Sequence, residues 1–116
     1  MAGLTLVLYF ANHRNMNLVF KALSDPTRRH ILQLLRARAM TAGELAGHFE
    51  IAKPTLSAHF AVLREAELVD SQKHGTTITY RLKLSVLEDA LLAFAQTVGV
   101  GLPAVPKLRK AMGKAK

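Results

Sequence analysis

Apolar residues recur every three or four positions along most of the chain, which predicts a series of amphipathic helices. The first helix is predicted over Asn17–Leu23 and the second from Pro26 to about Arg36. Ser24-Asp25-Pro26 marks the start of the second helix, because a capping side chain can accept from an unpaired backbone N–H and proline at the first helical position has none to lose. This helix is expected to bury Ile31, Leu34 and Leu35 and to expose Arg28, Arg29, Gln33 and Arg36.

Two further short helices are predicted, separated by a tight turn. Thr41 and Glu44 have the S/T-x-x-E spacing of a capping box, which opens the first of them. Pro54 fits only the first turn of a helix, so the second is predicted from Lys53 to about Ala66. Two short helices joined in this way form a helix-turn-helix, whose second helix, here called the recognition helix, is the one that enters a DNA major groove.

The rest of the pattern predicts a β-hairpin and a last helix. Residues 68–73 and 76–82 flank His74-Gly75, and the second run alternates apolar and polar positions as a half-buried strand does. Ser85 and Glu88 have the spacing of another capping box, and Gly99 is expected to end the helix that follows. The predicted fold class is mainly α with a small β-hairpin, in the α-α-α-α-β-β-α order of a winged helix-turn-helix.

The predicted recognition helix, in the run KPTLSAHFAVLREAELV over residues 53–69, has two unlike faces. Leu56, Phe60 and Leu63 fall at i, i+4 and i+7, which predicts a buried face. Short hydroxyl and methyl side chains on the opposite face would allow close approach to base edges, where a hydroxyl can pair with several bases and alanine can contact a thymine methyl. That face carries Lys53, Thr55, Ser57, Ala58 and His59.

The composition favours an anionic partner. The 116 residues are enough for one domain and include 16 Lys+Arg against 8 Asp+Glu, a formal net charge of +8. Part of this charge lies in residues 107–116, which contain bases and no acid, so the charge alone does not establish nucleic-acid binding. Because the chain contains no cysteine, it has no disulfide, thiolate metal site or cysteine nucleophile.

Three segments are predicted: an N-terminal extension over 1–15, a winged helix-turn-helix domain over 16–99, and a flexible basic C-terminal tail over 100–116. Residues 4–11 are very apolar but too short to span a bilayer, and no basic region precedes them, so neither a transmembrane helix nor a signal peptide is predicted. Two interpretations of the extension remain open. It is a natural segment packed on the domain or on a partner, or the natural protein starts at Met16.

Three runs together resemble the ArsR/SmtB family of dimeric bacterial repressors, and within it the SdpR-like autorepressor branch. They are ALSDPTRRHILQLL (22–35), MTAGELAGHFEIAKPTLSAHFAVLREAELV (40–69) and KHGTTITYRL (73–82). The resemblance implies a sequence-specific DNA-binding regulator in the bacterial cytoplasm, at the nucleoid. It would be a dimeric repressor, with autorepression as one option, and its partner would be double-stranded DNA carrying an inverted-repeat operator.

The resemblance also implies functional positions. Lys53, Thr55, Ser57 and His59 match recognition-helix positions that contact DNA in the family, with Lys53 and His59 expected mainly at phosphates; the other interpretation of His59 is a surface histidine without a partner. In the wing, Lys73, His74 and Arg81 are expected to flank the tip at Gly75 and to reach a minor groove or its phosphates, unless the hairpin end is only solvated. Relatives usually have Ser or Thr where this chain has Ala52, so the recognition helix is expected to lack a side-chain N-cap.

The family joins its first and last helices into a two-fold dimer, and the apolar stripes of this chain fit that arrangement. The expected interface consists of Leu18, Phe20, Leu87, Leu91, Phe94 and Val98.

No metal, other cofactor or enzymatic activity is predicted. Glu88 and Asp89 are adjacent and expected to diverge on the surface, and the five histidines lack metal-ligand spacing. No catalytic signature is present.

One other function remains open, a winged-helix module that docks an acidic protein partner. The short residues at 55–58 count against it, because protein-binding helices usually present large anchors.

Overall fold

The computed structural model describes residues 16–101, and the predictions for residues 1–15 and 102–116 lie outside this range. No helix in the described range is long and apolar enough to cross a bilayer. The elements are α1 over 16–23, α2 (Pro26–Ala37), β1 (Met40–Thr41), α3 (Ala42–Ala46), α4 (Lys53–Glu65), β2 (Val69–His74), β3 (Thr77–Leu82) and α5 (Leu84–Val98).

The start of α2 follows the sequence signals. Asp25 is the N-cap, and its carboxylate accepts from the backbone N–H of Arg28 at 3.1 Å, while Pro26 occupies the first turn. The buried residues are Ile31, Leu32 and Leu35, whereas Leu34 is only partly buried. The face of α2 that points to the core is therefore turned slightly from the predicted one, and Leu32 takes the place expected for Leu34.

The hairpin is part of a three-stranded antiparallel sheet with the order β1-β3-β2. Met40 pairs with Tyr80 and Thr41 with Thr79, so β1 closes the open edge of β3. The sequence did not reveal β1, because two residues are too few to show a period and their partners lie about forty positions later. The sheet ties the segment before α3 to the base of the wing.

One core joins the helices and the sheet. Val19, Ile31, Leu45, Leu63 and Leu68 are fully inaccessible to solvent and come from five different parts of the chain. Burial of one such side chain stabilises the fold by roughly 1.5–3 kcal/mol. Leu63 brings α4 into this core.

The predicted capping box at the start of α5 is wrong. The helix begins at Leu84, and its N-cap Lys83 forms no side-chain capping bond. The backbone N–H of Lys83 instead donates to the carbonyl of Leu68 at 2.8 Å, so a contact with the start of the wing fixes where the helix begins. Glu88, expected on the surface, is only 1% exposed, whereas Asp89 is exposed. The predicted end is confirmed, with Gly99 at φ 79°.

The capping box of α3 is formed as predicted. The Thr41 hydroxyl accepts from the backbone N–H of Glu44 at 3.0 Å, and the Thr41 backbone N–H donates to the Glu44 carboxylate at 2.9 Å. The second oxygen of Glu44 accepts from the Arg38 guanidinium, also at 2.9 Å. These bonds fix the start of the first helix of the helix-turn-helix.

The same bonds make the free energy of unfolding of the domain dependent on pH. The backbone hydrogen bond from Thr41 and the side-chain bond from Arg38 lower the pKa of Glu44 below its ordinary value, outweighing the opposite effect of burial. A lowered native pKa gives a stabilising contribution that is present above the unfolded value, near 4.3, and is lost as the pH falls through the native value. Glu44→Gln, which keeps an amide oxygen for the box, should therefore lose less stability than the parent between pH 5 and pH 3. Urea unfolding of both proteins across this range checks the difference, and parallel losses would contradict it.

Candidate nucleic-acid interface

The recognition helix α4 has the two faces that its sequence predicts. Leu56, Phe60 and Leu63 are between 0% and 5% exposed. The Phe60 ring lies 4.5 Å from that of Tyr80 on β3, centroid to centroid, and burial there raises the pKa of the Tyr80 hydroxyl. Four other residues of the helix are exposed to solvent, namely Lys53, Thr55, Ser57 and Ala58. An apolar anchor thus leaves a face of short side chains available for a ligand.

His59 does not share the exposure of those four residues. Its side chain is only 16% exposed, its Nδ1 lies 3.1 Å from Nη1 of Arg28, and its Nε2 lies 3.9 Å from a carboxylate oxygen of Asp25. The alternative of a histidine without a partner is therefore wrong, whereas the phosphate contact expected for His59 stays a prediction. At 100° per residue, position 59 lies about 60° from Leu56 and about 40° from Leu63 around the helix axis, so the helical period alone places it beside the buried stripe.

Asp25 is the acidic member of this group. Burial raises its pKa, but the backbone hydrogen bond from Arg28 and the electrostatic influence of the nearby His59 and Arg28 side chains together outweigh that effect, so the pKa lies below its ordinary value. The ionised carboxylate therefore caps α2 and faces the recognition helix at the same time. The N-terminus of α2 and the middle of α4 meet at this point.

Arg28 and Arg29 bind the end of α1 instead of facing solvent together. Arg28 is partly buried and donates from Nε to the carbonyl of Ala22 at 2.8 Å and from Nη2 to that of Lys21 at 2.9 Å. Arg29 is exposed and donates from Nη1 to the carbonyl of Leu23 at 2.7 Å. The last carbonyls of a helix lack partners within it and carry partial negative charge, so both guanidinium groups stabilise the α1 terminus.

The wing tip contains three of the four predicted wing residues. Gly75 has φ 61°, which suits glycine at the tight turn, and Lys73 and His74 precede it as exposed strand residues. Arg81 is not at the tip: it pairs with Asp70, whereas Lys73 pairs with Ile78. Arg81 lies four positions after Thr77, the first residue of β3, a distance of about 13 Å along a strand. The prediction that Arg81 flanks the tip is therefore wrong, since it lies at the base of the wing.

A groove of about 230 Å³ lies between α3 and α4 and continues the exposed face of the recognition helix. Small side chains of α3 form one wall and residues of α4 form the other: Ala42, Gly43, Ala46, Lys53, Leu56, Ser57 and Phe60. The sequence pattern did not single out the α3 residues, although three small residues within five positions opposite a recognition helix are a usable signal.

The first turn of α4 lacks a side-chain cap, as predicted. Ala52 occupies the N-cap position with extended backbone angles, φ −63° and ψ 144°, and no side chain accepts from the free N–H groups there. Pro54 removes one of those N–H groups but leaves others for solvent. The start of the recognition helix therefore lacks a stabilising contact that an N-cap side chain commonly supplies.

Ala52→Ser should stabilise the free protein, because a serine hydroxyl at an N-cap with this backbone geometry accepts from the N–H of the second or third helical residue. The expected gain in the free energy of unfolding is about 1 kcal/mol. Urea unfolding of the two proteins measures it. Ala61→Ser, at an exposed position inside the same helix, provides the matched control and should give no gain. Equal changes at positions 52 and 61 would show that the helix does not begin at Lys53.

The predicted interface residues on α1 and α5 differ in exposure. Leu18 and Leu87 are partly buried and pack against the core, and the Phe20 and Phe94 rings meet edge to face with centroids 5.0 Å apart. Phe94 is nevertheless 44% exposed, and Val98 and Val100 are each 54% exposed. The first and last helices thus pack on each other within the chain, and the open apolar surface is concentrated at the end of α5.

Within residues 16–101, no three His, Asp or Glu side chains are grouped closely enough to hold a metal ion. His13 lies outside this range.

Several known proteins are similar to the chain. Residues 25–71 match a family model described as bacterial regulatory protein, arsR family. The chain is 50% identical over 76 residues to the transcriptional repressor SdpR of Bacillus subtilis (strain 168), covering 66% of this chain and 84% of the relative. It is 35% identical over 80 residues to the arsenical resistance operon repressor of Staphylococcus aureus, covering 69% of this chain and 77% of that relative. An ArsR-like transcriptional regulator from Rhodococcus sp. RHA1 has a solved structure similar to this one, with a TM-score of 0.67, 28% identity, and coverage of 90% of this chain and 94% of that chain.

Proposed function

The chain belongs to the ArsR family of bacterial regulatory proteins, and we propose from this that it is a sequence-specific DNA-binding transcriptional repressor. The observation that carries the proposal is the face of α4 with exposed Lys53, Thr55, Ser57 and Ala58, held outward by a fully buried apolar face. The named relatives, a transcriptional repressor and an operon repressor, support the same function.

In this proposal the exposed face of α4 enters the major groove. Thr55 and Ser57 offer hydroxyls to base edges, and Ala58 offers a methyl group that can contact the methyl group of thymine. Lys53 lies at the start of the helix, where its ammonium can bind a phosphate and so fix the position of the helix on the duplex. Because His59 is held against α2, it contacts DNA only if its ring leaves Arg28.

The wing extends the contact beyond the major groove. Lys73 and His74 stand exposed beside the turn at Gly75 and can reach phosphates or the neighbouring minor groove. Arg81 lies at the base of the hairpin, farther from such a contact. Phosphate contacts carry no sequence information, so the wing adds affinity and the recognition helix adds selectivity.

The repressor would act as a two-fold dimer formed by α1 and α5. The exposed apolar side chains of Phe94, Val98 and Val100 supply a surface that a second copy can cover. Two-fold symmetry presents two recognition helices about one turn of DNA apart, roughly 34 Å, so the operator would be an inverted repeat. Occupancy of that site would block a promoter in the bacterial cytoplasm, and autorepression would place it before the protein's own gene.

Selection of bound duplexes from a random pool, followed by sequencing, tests this function. The expected product is one enriched inverted repeat whose half-site centres are about one helical turn apart. Selection with a Thr55→Ala, Ser57→Ala double variant serves as the control and should weaken enrichment of the same half-site. Recovery of no common sequence by the parent protein would overturn the proposed function.

A further inference from the structure

Arg28 connects three separate segments of the domain through one guanidinium group. Its Nε and Nη2 donate to the Ala22 and Lys21 carbonyls at the end of α1, and its Nη1 donates to Nδ1 of His59 on α4. Its own backbone N–H donates to Asp25, which caps α2. The planar fork of an arginine can hold several acceptors in a fixed arrangement, whereas a lysine ammonium lacks this geometry.

The bond to His59 constrains the recognition helix in a way that its buried face does not. Apolar contacts of Leu56, Phe60 and Leu63 hold α4 against the core but are non-directional. A hydrogen bond weakens steeply when its angle departs from linearity, so it resists rotation and sliding of the helix. His59 lies two residues after Ser57 and four after Thr55, so its position influences where those side chains project.

We propose that Arg28 is a positioning residue that fixes the recognition helix relative to α1 and thereby sets the half-site spacing that the dimer accepts. The inference rests on the proposed function, because α1 is one of the two helices assigned to the dimer interface. Contacts then run from the interface through α1 to Arg28, and from Arg28 through His59 to α4. In a two-fold dimer, a change in the angle between α1 and α4 occurs twice and alters the separation of the two recognition helices.

The orientation of the His59 ring agrees with this role. A guanidinium can only donate, so Nδ1 accepts and a neutral ring carries its proton on Nε2, which faces the Asp25 carboxylate at 3.9 Å. Asp25 and Arg28 thus act on the two ring nitrogens from opposite sides. The His59 side chain of the recognition helix is therefore contacted by two charged residues at the start of α2.

Arg29 provides a matched control within the chain. It donates to the Leu23 carbonyl at the same helix end, and it carries the same charge. Arg28→Ala and Arg29→Ala therefore each remove one positive charge and part of the α1 capping, but only the first removes the bond to α4. Any general loss of phosphate attraction should be equal in the two variants.

The experiment measures binding by fluorescence anisotropy to the selected operator and to the same operator with one base pair inserted at its centre. The parent protein should prefer the native spacing by about tenfold or more, a value in the range of a single mismatch. Arg28→Ala should reduce this preference to less than about threefold, whereas Arg29→Ala should leave it within about twofold of the parent value. Arg28→Lys, which keeps the charge and provides a second variant if alanine prevents folding, should resemble Arg28→Ala.

A double variant separates positioning from a phosphate contact. In a His59→Ala background, Arg28→Ala should have no further effect on the spacing preference, because the shared bond is already absent. Equal effects of Arg28→Ala and Arg29→Ala on the preference, or full additivity with His59→Ala, would overturn the inference while leaving the proposed function intact. If the parent protein bound the operator and a scrambled duplex equally, both the function and the inference would be overturned.

Discussion

Replacing Ser57 with glutamate should lower the affinity for the selected operator by about 100-fold or more, because the new carboxylate would lie against base edges and phosphates in the proposed complex. Juxtaposed like charges at an interface cost several kcal/mol, and about 2.8 kcal/mol corresponds to 100-fold. Ser57 is exposed and contributes nothing to the core, so the thermal unfolding midpoint should change little. Anisotropy titrations and thermal melting of the two proteins measure both quantities.

Gln33→Glu is the control for this substitution. Gln33 is exposed on α2, and its replacement changes the net charge by the same amount. If binding weakened only through the total charge of the protein, both variants would lose affinity equally. A loss confined to Ser57→Glu locates the effect on the recognition helix, whereas normal binding by this variant would remove α4 from the interface.

Val98→Glu should convert the dimer to a monomer and lower operator affinity by about 1,000-fold, because one half-site must then supply the whole binding energy. Val98 is 54% exposed at the end of α5, so a buried carboxylate would be created only in the dimer. An unpaired charge in such an interface is strongly unfavourable. Sedimentation equilibrium measures the mass and anisotropy measures the affinity.

Phe94→Glu provides a second variant on the same surface, although loss of the Phe94 ring also removes its contact with Phe20 within the chain. Asp89→Lys, at an exposed position on the same helix, is the control for a change of charge and should leave the mass unchanged. A dimer that persists in both Val98→Glu and Phe94→Glu would exclude the end of α5 from the interface.

Local signals in the sequence predicted most of the fold because their stabilising partners are also local. Asp25 caps a helix that starts one residue later, and Thr41 and Glu44 satisfy each other's backbone groups within one turn. Gly99 ends α5 through its own positive φ. Likewise, the spacing of Leu56, Phe60 and Leu63 sets the orientation of the helix, so the outward positions of Thr55, Ser57 and Ala58 could be predicted.

The features that sequence patterns did not reveal depend on contacts between distant segments. β1 exists because Met40 pairs with Tyr80, and the start of α5 is set by the bond between Lys83 and Leu68, which overrides the local signal at Ser85. The helical period places His59 beside the buried stripe, but its partner Arg28 lies 31 positions earlier in the chain. No periodicity within one helix identifies such a partner.

Whether this chain reads DNA sequence is measured by a ratio of two dissociation constants. Anisotropy at 150 mM salt should compare the selected operator with a scrambled duplex of the same length and base composition. We expect the operator to bind at least about 1,000-fold more tightly, the lower end of the range for specific DNA-binding proteins. Indistinguishable affinities would contradict it and would favour a winged-helix module whose basic surface docks an acidic protein.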